Sequence, residues 1–340
     1  MDKRRVLIAL SGGVDSSAAA ILLQKAGYSC DGATLELCGE TDLSGARAVA
    51  ADLNMNFFVF DERNRFRAEV LEPFISEYSA GRTPNPCVNC NRALKFGAFL
   101  DRALAMGYDY VATGHYARVD CVNGVFRLLR GADRRKDQSY FLYQLTQDRL
   151  RHLLLPVGEY DKPAIRELVR QSDPDCAERS DSQDICFIPD GDYVRFLERS
   201  GTALIPGDFV DKNGGILGRH RGLPCYTIGQ GKGLGIALGK HVYVSEKNAD
   251  TNTVTLDDDA ALYRTVLTAH SVNWIMGTPD APFSCRAKTR YSQTEAACTV
   301  TPLNREQIRV DFDEPQRAIT PGQAVVLYDG DVVLGGGTIE

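Results

Sequence analysis

An all-apolar pentapeptide, Val6-Leu7-Ile8-Ala9-Leu10, runs straight into Ser11-Gly12-Gly13-Val14-Asp15-Ser16-Ser17, and this junction constrains the fold more than any other stretch. A strand apolar at every position suits a parallel sheet covered on both faces. The glycine pair permits positive φ and close backbone approach. Helix formers follow from Ser16 to Ala26, with Gly27 as the closing residue. Backbone N–H groups of the glycines and first helical turn, with the hydroxyls of Ser11, Ser16 and Ser17, are expected to face one anion. The Gly-Lys-Ser/Thr ending of a Walker loop is missing, and so is the G-x-G-x-x-G dinucleotide pattern. A Gly-rich turn with a Ser or Asp N-cap is the bland alternative. Strand, S-G-G-x-D-S and helix in series favour a phosphate site.

The same alternation continues. Strands are expected near Ser29–Leu35, Phe57–Phe60 and Tyr110–Thr113, with helices near Leu43–Leu53, Arg65–Ala80 and Arg92–Met106. In the last helix Phe96, Phe99, Leu100, Ala103 and Leu104 share one face. This is an α/β pattern wound by right-handed crossovers. After about Gly201 the texture becomes short β runs punctuated by Gly, ending in a hairpin around Asp329-Gly330. The expected domains are an α/β domain over 1–200, a small β-rich domain over 201–265 and a β-barrel over 266–340. No apolar run approaches the ~18 residues of a membrane span, and the basic start is followed by too short an apolar run for a secretory leader. The chain is read as cytoplasmic. In that compartment the 10 cysteines are expected to be thiols rather than a disulfide framework. The net charge of −6 argues against a uniformly basic nucleic-acid binder but leaves room for a local basic groove.

Two cysteine segments stand out. Arg82-Thr83-Pro84-Asn85-Pro86-Cys87-Val88-Asn89-Cys90 leads into the amphipathic helix. With Asn89 as N-cap, Cys90 would meet the helix dipole and be more reactive than a free thiol. Asp181-Ser182-Gln183-Asp184-Ile185-Cys186 precedes a later helix, and its aspartates should raise the Cys186 thiol pKa. Spacing alone does not nominate Cys186.

The phosphate loop resembles that of the PP-loop ATP pyrophosphatases, which cleave ATP between its α and β phosphates and adenylate a substrate. That resemblance implies an adenine nucleotide alpha hydrolase-like fold, with ATP and Mg2+ bound by Ala9, Leu10, Ser11, Gly12, Gly13, Val14, Asp15 and Ser16 and the adenosine framed by Leu35 and Gly114. Further motifs follow in order: T-P-N-P with C-N, A-T-G-H-Y-A-R (Ala112–Arg118), K-D-Q-S-Y-F-L (Lys136–Leu142), I-C-F-I (Ile185–Ile188), G-Q-x-K-G-L-G (Gly229–Gly235) and T-P-G-Q (Thr320–Gln323). Together they closely resemble the tRNA-specific 2-thiouridylases over nearly the whole chain. The resemblance implies sulfur replacement of O2 on the wobble uridine, Cys90 as nucleophile and Cys186 as persulfide carrier. The implied tRNA contacts are Asn85, Pro86, Cys87, His115, Lys136, Asp137, Gln138, Ser139, Arg290, Tyr291 and Gln323. The implied partners are tRNA and a sulfur donor: a cysteine desulfurase, a relay protein or sulfide. No DNA or membrane partner is expected.

Departures from the family pattern bear on the sulfur chemistry. Cys87 stands where an acidic residue is usual, and the segment after Leu35 is short. Cys87, Cys90 and Cys186 could supply three thiolates to a [4Fe–4S] cluster, or Cys87 could simply replace the carboxylate. Arg127, Arg130, Arg134, Arg135 and Lys136 form a basic run, read as tRNA phosphate contacts because of its place beside the K-D-Q-S motif. The competing functions are another PP-loop ligase or amidotransferase without sulfur chemistry, and a catalytically silent RNA-binding protein.

Overall fold

The computed structural model describes residues 3–39, 42–179 and 185–340. Val6, Leu7 and Ile8 are fully buried in strand β1 (Arg5–Ala9), as their uniform apolarity requires. β1 pairs in parallel with β2 (Ser29–Glu36) on one side and β4 (Tyr110–Ala112) on the other. With β3 (Phe57–Asp61) and the short β7 (Leu153–Leu154) the sheet order is β3-β2-β1-β4-β7, parallel throughout. The chain leaves β1 toward β2 and later returns to β4 on the opposite side. The order therefore reverses between β1 and β4, and ligands of open α/β sheets bind beyond the strand C-termini at such a point.

Helix α1 (Val14–Lys25) follows β1, with Gly27 at φ +90° just past its end. α2 spans Ser44–Asp52. Helix α3 runs through Arg63–Phe66, a wide-turn segment Arg67–Leu71, and Glu72–Ser79. Helix α4 likewise joins Pro86–Cys90, a wide-turn segment Asn91–Ala98, and Phe99–Ala105. It begins earlier than the sequence pattern suggested. Asn85 occupies the N-cap position and Pro86 the first helical position, so Asn89 lies inside the helix. α5 (Lys162–Arg170) packs on α1, and α6 (Tyr193–Arg199) precedes the β-rich part.

β8 (Gly207–Val210), β9 (Ile216–His220), β10 (Tyr243–Asn248) and β11 (Thr253–Asp257) form a four-stranded sheet in the order β10-β11-β8-β9. β12 (Tyr263–Trp274), β13 (Phe283–Lys288), β14 (Ala296–Pro302), β15 (Ile308–Arg317), β16 (Ala324–Asp329) and β17 (Val332–Ile339) form an antiparallel sheet that β12–β17 pairing closes into a barrel. An earlier hairpin, β5 (Ala117–Val122) and β6 (Val125–Arg130), extends this barrel sheet through β17. The chain thus visits the barrel sheet within its α/β portion. No helix among the described residues is long and apolar enough to cross a membrane.

The barrel also braces the loop ahead of α4. The Thr83 N–H donates to the Pro321 carbonyl at 2.9 Å, and Gln323 Nε2 donates to the Thr83 carbonyl at 2.8 Å. Two motifs 240 residues apart are one structural unit.

Candidate active site

The phosphate loop lies at the C-terminal end of β1. Gly12 has φ +75°, and a side chain there would strike the Ala46 backbone nitrogen. Gly13 is the N-cap of α1 and has no side chain to occupy the first-turn N–H groups, which are left available to an anion. Ser11 is exposed. The expected use of the other two hydroxyls changes: Ser16 and Ser17 each donate to the Gly13 carbonyl at 3.0 Å, and both are buried. They shape the loop, and Ser17 Oγ lies 3.6 Å from Cys176 Sγ.

Asp15 is fixed by Tyr116 of the A-T-G-H-Y-A-R segment and by Lys162, which carried no sequence motif. Its Oδ1 accepts from Lys162 Nζ and from the Tyr116 hydroxyl, each at 2.7 Å. Lys162, at the start of α5, is buried and brings a positive charge beside the loop. Arg179 Nη1 donates to the Gly12 carbonyl at 2.5 Å. Gly114, just beyond β4, packs so closely on Asp15 that an added Cβ would sit 2.6 Å from the Asp15 carbonyl carbon. Gly114 therefore shapes the phosphate loop as well as the cleft edge. Leu35 lies near the end of β2 and packs on the apolar cluster around Cys90.

Cys90 sits in an apolar cluster that takes in Leu35 and Leu37, at the C-terminal end of β2. Cys90 is 7% exposed within a cluster of Phe66, Val70 and Leu94, against which Leu37 and Phe187 also pack. Phe187 contacts the rings of Phe66 and Phe74 at centroid distances of 5.7 and 5.3 Å, anchoring the neighbouring Cys186. Cys186, Cys87 and Cys38 are exposed, and the Cys90 thiol feels the charges of all three. The sequence reading had no signal for Cys38, which lies in the short segment after β2. Asp181 and Asp184 fall outside the described residues.

The expectation of an activated Cys90 is corrected. The helix starts at Pro86, so Cys90 lies beyond its first dipole-exposed turn. Burial pushes its thiol up to about 11. Partial desolvation of the sulfurs also raises Cys87 and Cys186, although both residues keep exposed surface. The opposing influence is Lys95, whose charge favours the thiolates of Cys87, Cys90 and Cys186. Backbone N–H groups at Cys186 and Phe187 favour the Cys186 thiolate too. No group of three or more His, Cys, Asp or Glu among the described residues is placed to hold a metal ion. As placed, the Cys87, Cys90 and Cys186 thiols do not close on one metal ion, and the chemistry below is carried by the thiols alone.

Several expected tRNA contacts are internal. Asp137 is buried and accepts from the Gly131 and Ser139 N–H groups and the Ser139 hydroxyl, while Ser139 is fully buried. Gln138 Oε1 accepts from the Tyr116 N–H. Asp137, Gln138 and Ser139 are thus committed to the fold, and Lys136 beside them is half-buried. Likewise the basic run is mostly paired: Arg127 with Asp120, Arg130 with Glu295 beneath the Tyr328 ring, Arg134 with Asp331, and Arg135 with Asp133. His115 is half-buried, bonds Thr113 Oγ1 at 2.7 Å, and is held well below its ordinary pKa by burial and by Lys95. It is a neutral ring against Phe96 and brings no positive charge to a phosphate. Arg290 is tied to the Ile228 carbonyl and Thr320 Oγ1, joining the central sheet to the barrel. Tyr291 keeps an accessible face, 37% exposed, and its ring lies 4.5 Å from that of Phe141. Asn85 and Pro86 form the entry to α4, beside the thiols.

Comparison with known proteins shows the family to which the chain belongs. Residues 4–190 match the family described as tRNA methyl transferase HUP domain, 194–258 its PRC-barrel domain, and 264–339 the aminomethyltransferase beta-barrel domain. The chain is 47% identical to the tRNA-specific 2-thiouridylase MnmA of Carboxydothermus hydrogenoformans, over 99% of this chain and 98% of that protein. It is 47% identical to that of Roseiflexus castenholzii over 98% and 99% of the two chains, and 44% identical to that of Clostridium perfringens strain 13 over 100% and 99%. With an α/β PP-loop domain leading two β-rich parts, the chain belongs to the family of tRNA-specific 2-thiouridylases.

Proposed function

We propose that the protein catalyses ATP-dependent 2-thiolation of the wobble uridine of tRNA in the cytoplasm, with a cysteine persulfide as the immediate sulfur source. O2 of uridine is a poor leaving group, so it attacks the α-phosphate of Mg2+-bound ATP. Pyrophosphate departs into the backbone N–H groups of Gly13 to Ser16, with Ser11 beside them and Lys162 offsetting charge through Asp15. Leu35 and Gly114 border the adenosine. The terminal sulfur of a Cys186 persulfide, loaded as sulfane sulfur from the persulfide of a desulfurase or relay protein whose own thiol is released, adds to C2 and expels AMP. The Cys90 thiolate then attacks Cys186 Sγ. The bond between the two sulfurs of the former persulfide breaks, the thiolated base leaves, and a Cys90–Cys186 disulfide remains.

The observation that carries this reading is the pair of thiols: Phe187 docks Cys186 against the cluster holding Cys90 although 96 positions separate them. A PP-loop ligase without sulfur chemistry has no use for that pair. On the tRNA side we place the loop at Asn85 and Pro86 near the extruded uridine, Tyr291 as a stacking platform, and Lys136 at phosphate. Gln323 and Arg290 act by holding the loop and the domain junction.

The test is in vitro thiolation with purified tRNA, ATP and a persulfide donor, analysed by mass spectrometry of the released nucleosides. The expected products are 2-thiouridine, AMP and pyrophosphate, with both Cys90→Ser and Cys186→Ser inactive. Adenylation of tRNA without sulfur incorporation under all donor conditions would favour the ligase reading instead.

A further inference from the structure

The sulfur chemistry above ends with Cys90, a buried residue, locked in a disulfide. We propose that Cys87 is the resolving thiol of the catalytic cycle, exchanging the Cys90–Cys186 disulfide for a Cys87–Cys90 disulfide that an external dithiol then reduces. This inference rests on the persulfide reading and extends it to a residue that neither sulfur delivery nor release requires.

Three observations place Cys87 in that role. Cys87 and Cys90 are three residues apart on α4, so their side chains share one face. Cys87 is exposed whereas Cys90 is buried, which leaves only the outer member of a Cys-Val-Asn-Cys pair open to a reductant. The Cys87 thiol also feels the charge of Cys186, and Cys90 feels both, so the three sulfurs share one locality.

Side chains at i and i+3 have Cβ atoms about 5–6 Å apart, and a disulfide needs roughly 3.5–4.5 Å. The first turn must tighten by an ångström or so. Its construction permits that: Asn85 makes no side-chain cap bond and Pro86 has no N–H to break. Directly after Cys90 the wide-turn segment Asn91–Ala98 begins, an irregularity that is frequent at working sites.

The exchange balances without an outside reagent. The Cys87 thiolate, its proton lost to solvent, attacks Cys90 Sγ. The Cys90–Cys186 bond breaks, the Cys87–Cys90 bond forms, and Cys186 leaves as a thiolate beside Lys95 and the N–H groups that favour it. The number of disulfides is unchanged. Two electrons enter later, from a cellular dithiol attacking the exposed Cys87 sulfur. Cys186 is meanwhile free to accept the next sulfur.

The experiment loads the full-length enzyme with persulfide, supplies ATP and tRNA for one turnover without reductant, alkylates free thiols, and maps disulfides by peptide mass spectrometry. The expected wild-type product is a Cys87–Cys90 disulfide with Cys186 alkylated. Cys87→Ser and Cys87→Asp are expected instead to trap Cys90–Cys186. Their steady-state rate relative to the first turnover should fall more than tenfold at low dithiol and recover as dithiol is raised. Peptide mapping separates these bridges from any between Cys285 and Cys298, whose sulfurs lie 3.7 Å apart. A wild type that accumulates Cys90–Cys186 with Cys87 alkylated overturns the proposal, as does a Cys38–Cys186 bridge, which would assign resolution to Cys38. Thiouridine formed with no Cys90–Cys186 bridge in either Cys87 variant would overturn the persulfide reading itself, and this inference with it.

Discussion

Gly114→Ala is the substitution whose effect is worked most directly from the structure. The added methyl would lie 2.6 Å from the carbonyl carbon of Asp15 and 2.8 Å from both its Cβ and its carbonyl oxygen. Those atoms are mostly main chain at the start of α1, so no flexible side-chain tip can swing aside. Restoring an ordinary 3.4 Å separation displaces the loop or β4 by about 0.8 Å. Overpacking of this kind costs about 1–3 kcal/mol of stability. An ångström of misplacement at a reacting centre can cost about 100-fold in rate. We therefore expect tRNA-dependent pyrophosphate release to fall by about 100-fold while the melting temperature drops only a few degrees. Gly13→Ala is the matched control. Gly13 has φ −93°, and its added methyl would meet nothing closer than Ser11 Oγ at 3.5 Å. The empty protein should tolerate Gly13→Ala, so any loss there reports on the bound phosphate. Gly114→Ala with wild-type pyrophosphate release and unchanged stability would refute the packing argument.

Further outcomes follow from the same contacts. Asp15→Ala and Ser11→Ala should each abolish tRNA-dependent pyrophosphate release with the circular-dichroism spectrum intact; unchanged release in both would remove ATP from this loop. Gln323→Ala removes the amide that donates to the Thr83 carbonyl at 2.8 Å and more weakly to that of Pro84 at 3.4 Å, about 1 kcal/mol, and should lower kcat/KM for tRNA roughly fivefold with little change in ATP binding. Neutralising Arg134, Arg135 and Lys136 together should reduce the slope of log K for tRNA against log salt by the equivalent of one or two phosphate contacts, about 0.7–1.8, rather than three, because Arg134 is paired with Asp331 and Arg135 with Asp133. Burial lowers Lys247 to about 8 while its Nζ donates to the Tyr226 carbonyl. Between that value and its ordinary one near 10.5 the unfolded chain binds the extra proton, so the Lys247 contribution to stability rises with pH across this window. The unfolding free energy of wild type minus that of Lys247→Met, followed by urea unfolding from pH 7 to 10, should therefore become more positive as pH rises; a flat difference contradicts it.

What the sequence disclosed was local chemistry with a strong geometric consequence. The uniformly apolar β1, the glycine pair and α1 are adjacent in the chain, and the switch point they occupy follows from alternating strands and helices. The start of α4 was misread because Cys87, Val88 and Asn89 do not carry the apolar periodicity that begins at Leu94 and Phe96. Pro86 at the first helical position was the usable signal. That error also inflated the reactivity expected of Cys90, whose thiol is governed by the Phe66, Val70 and Leu94 side chains around it. Cys38 and Lys162 were invisible for another reason: each acts through partners far away in sequence and neither sits in a recognisable motif. The basic run shows the converse. Its clustering is real, but Asp331 and Glu295, some two hundred residues later, neutralise part of it, and no local pattern foretells such pairing.

The most direct measurement follows labelled sulfur. Enzyme carrying a radiolabelled terminal persulfide on Cys186 is mixed with tRNA under single-turnover conditions, with and without ATP, and the label in wobble uridine is counted. The expected result is transfer of about one sulfur per enzyme that requires ATP and is absent in Cys90→Ser. Labelled thiouridine appearing without ATP, or at wild-type yield in Cys90→Ser, would contradict the paired-thiol, adenylation-dependent chemistry.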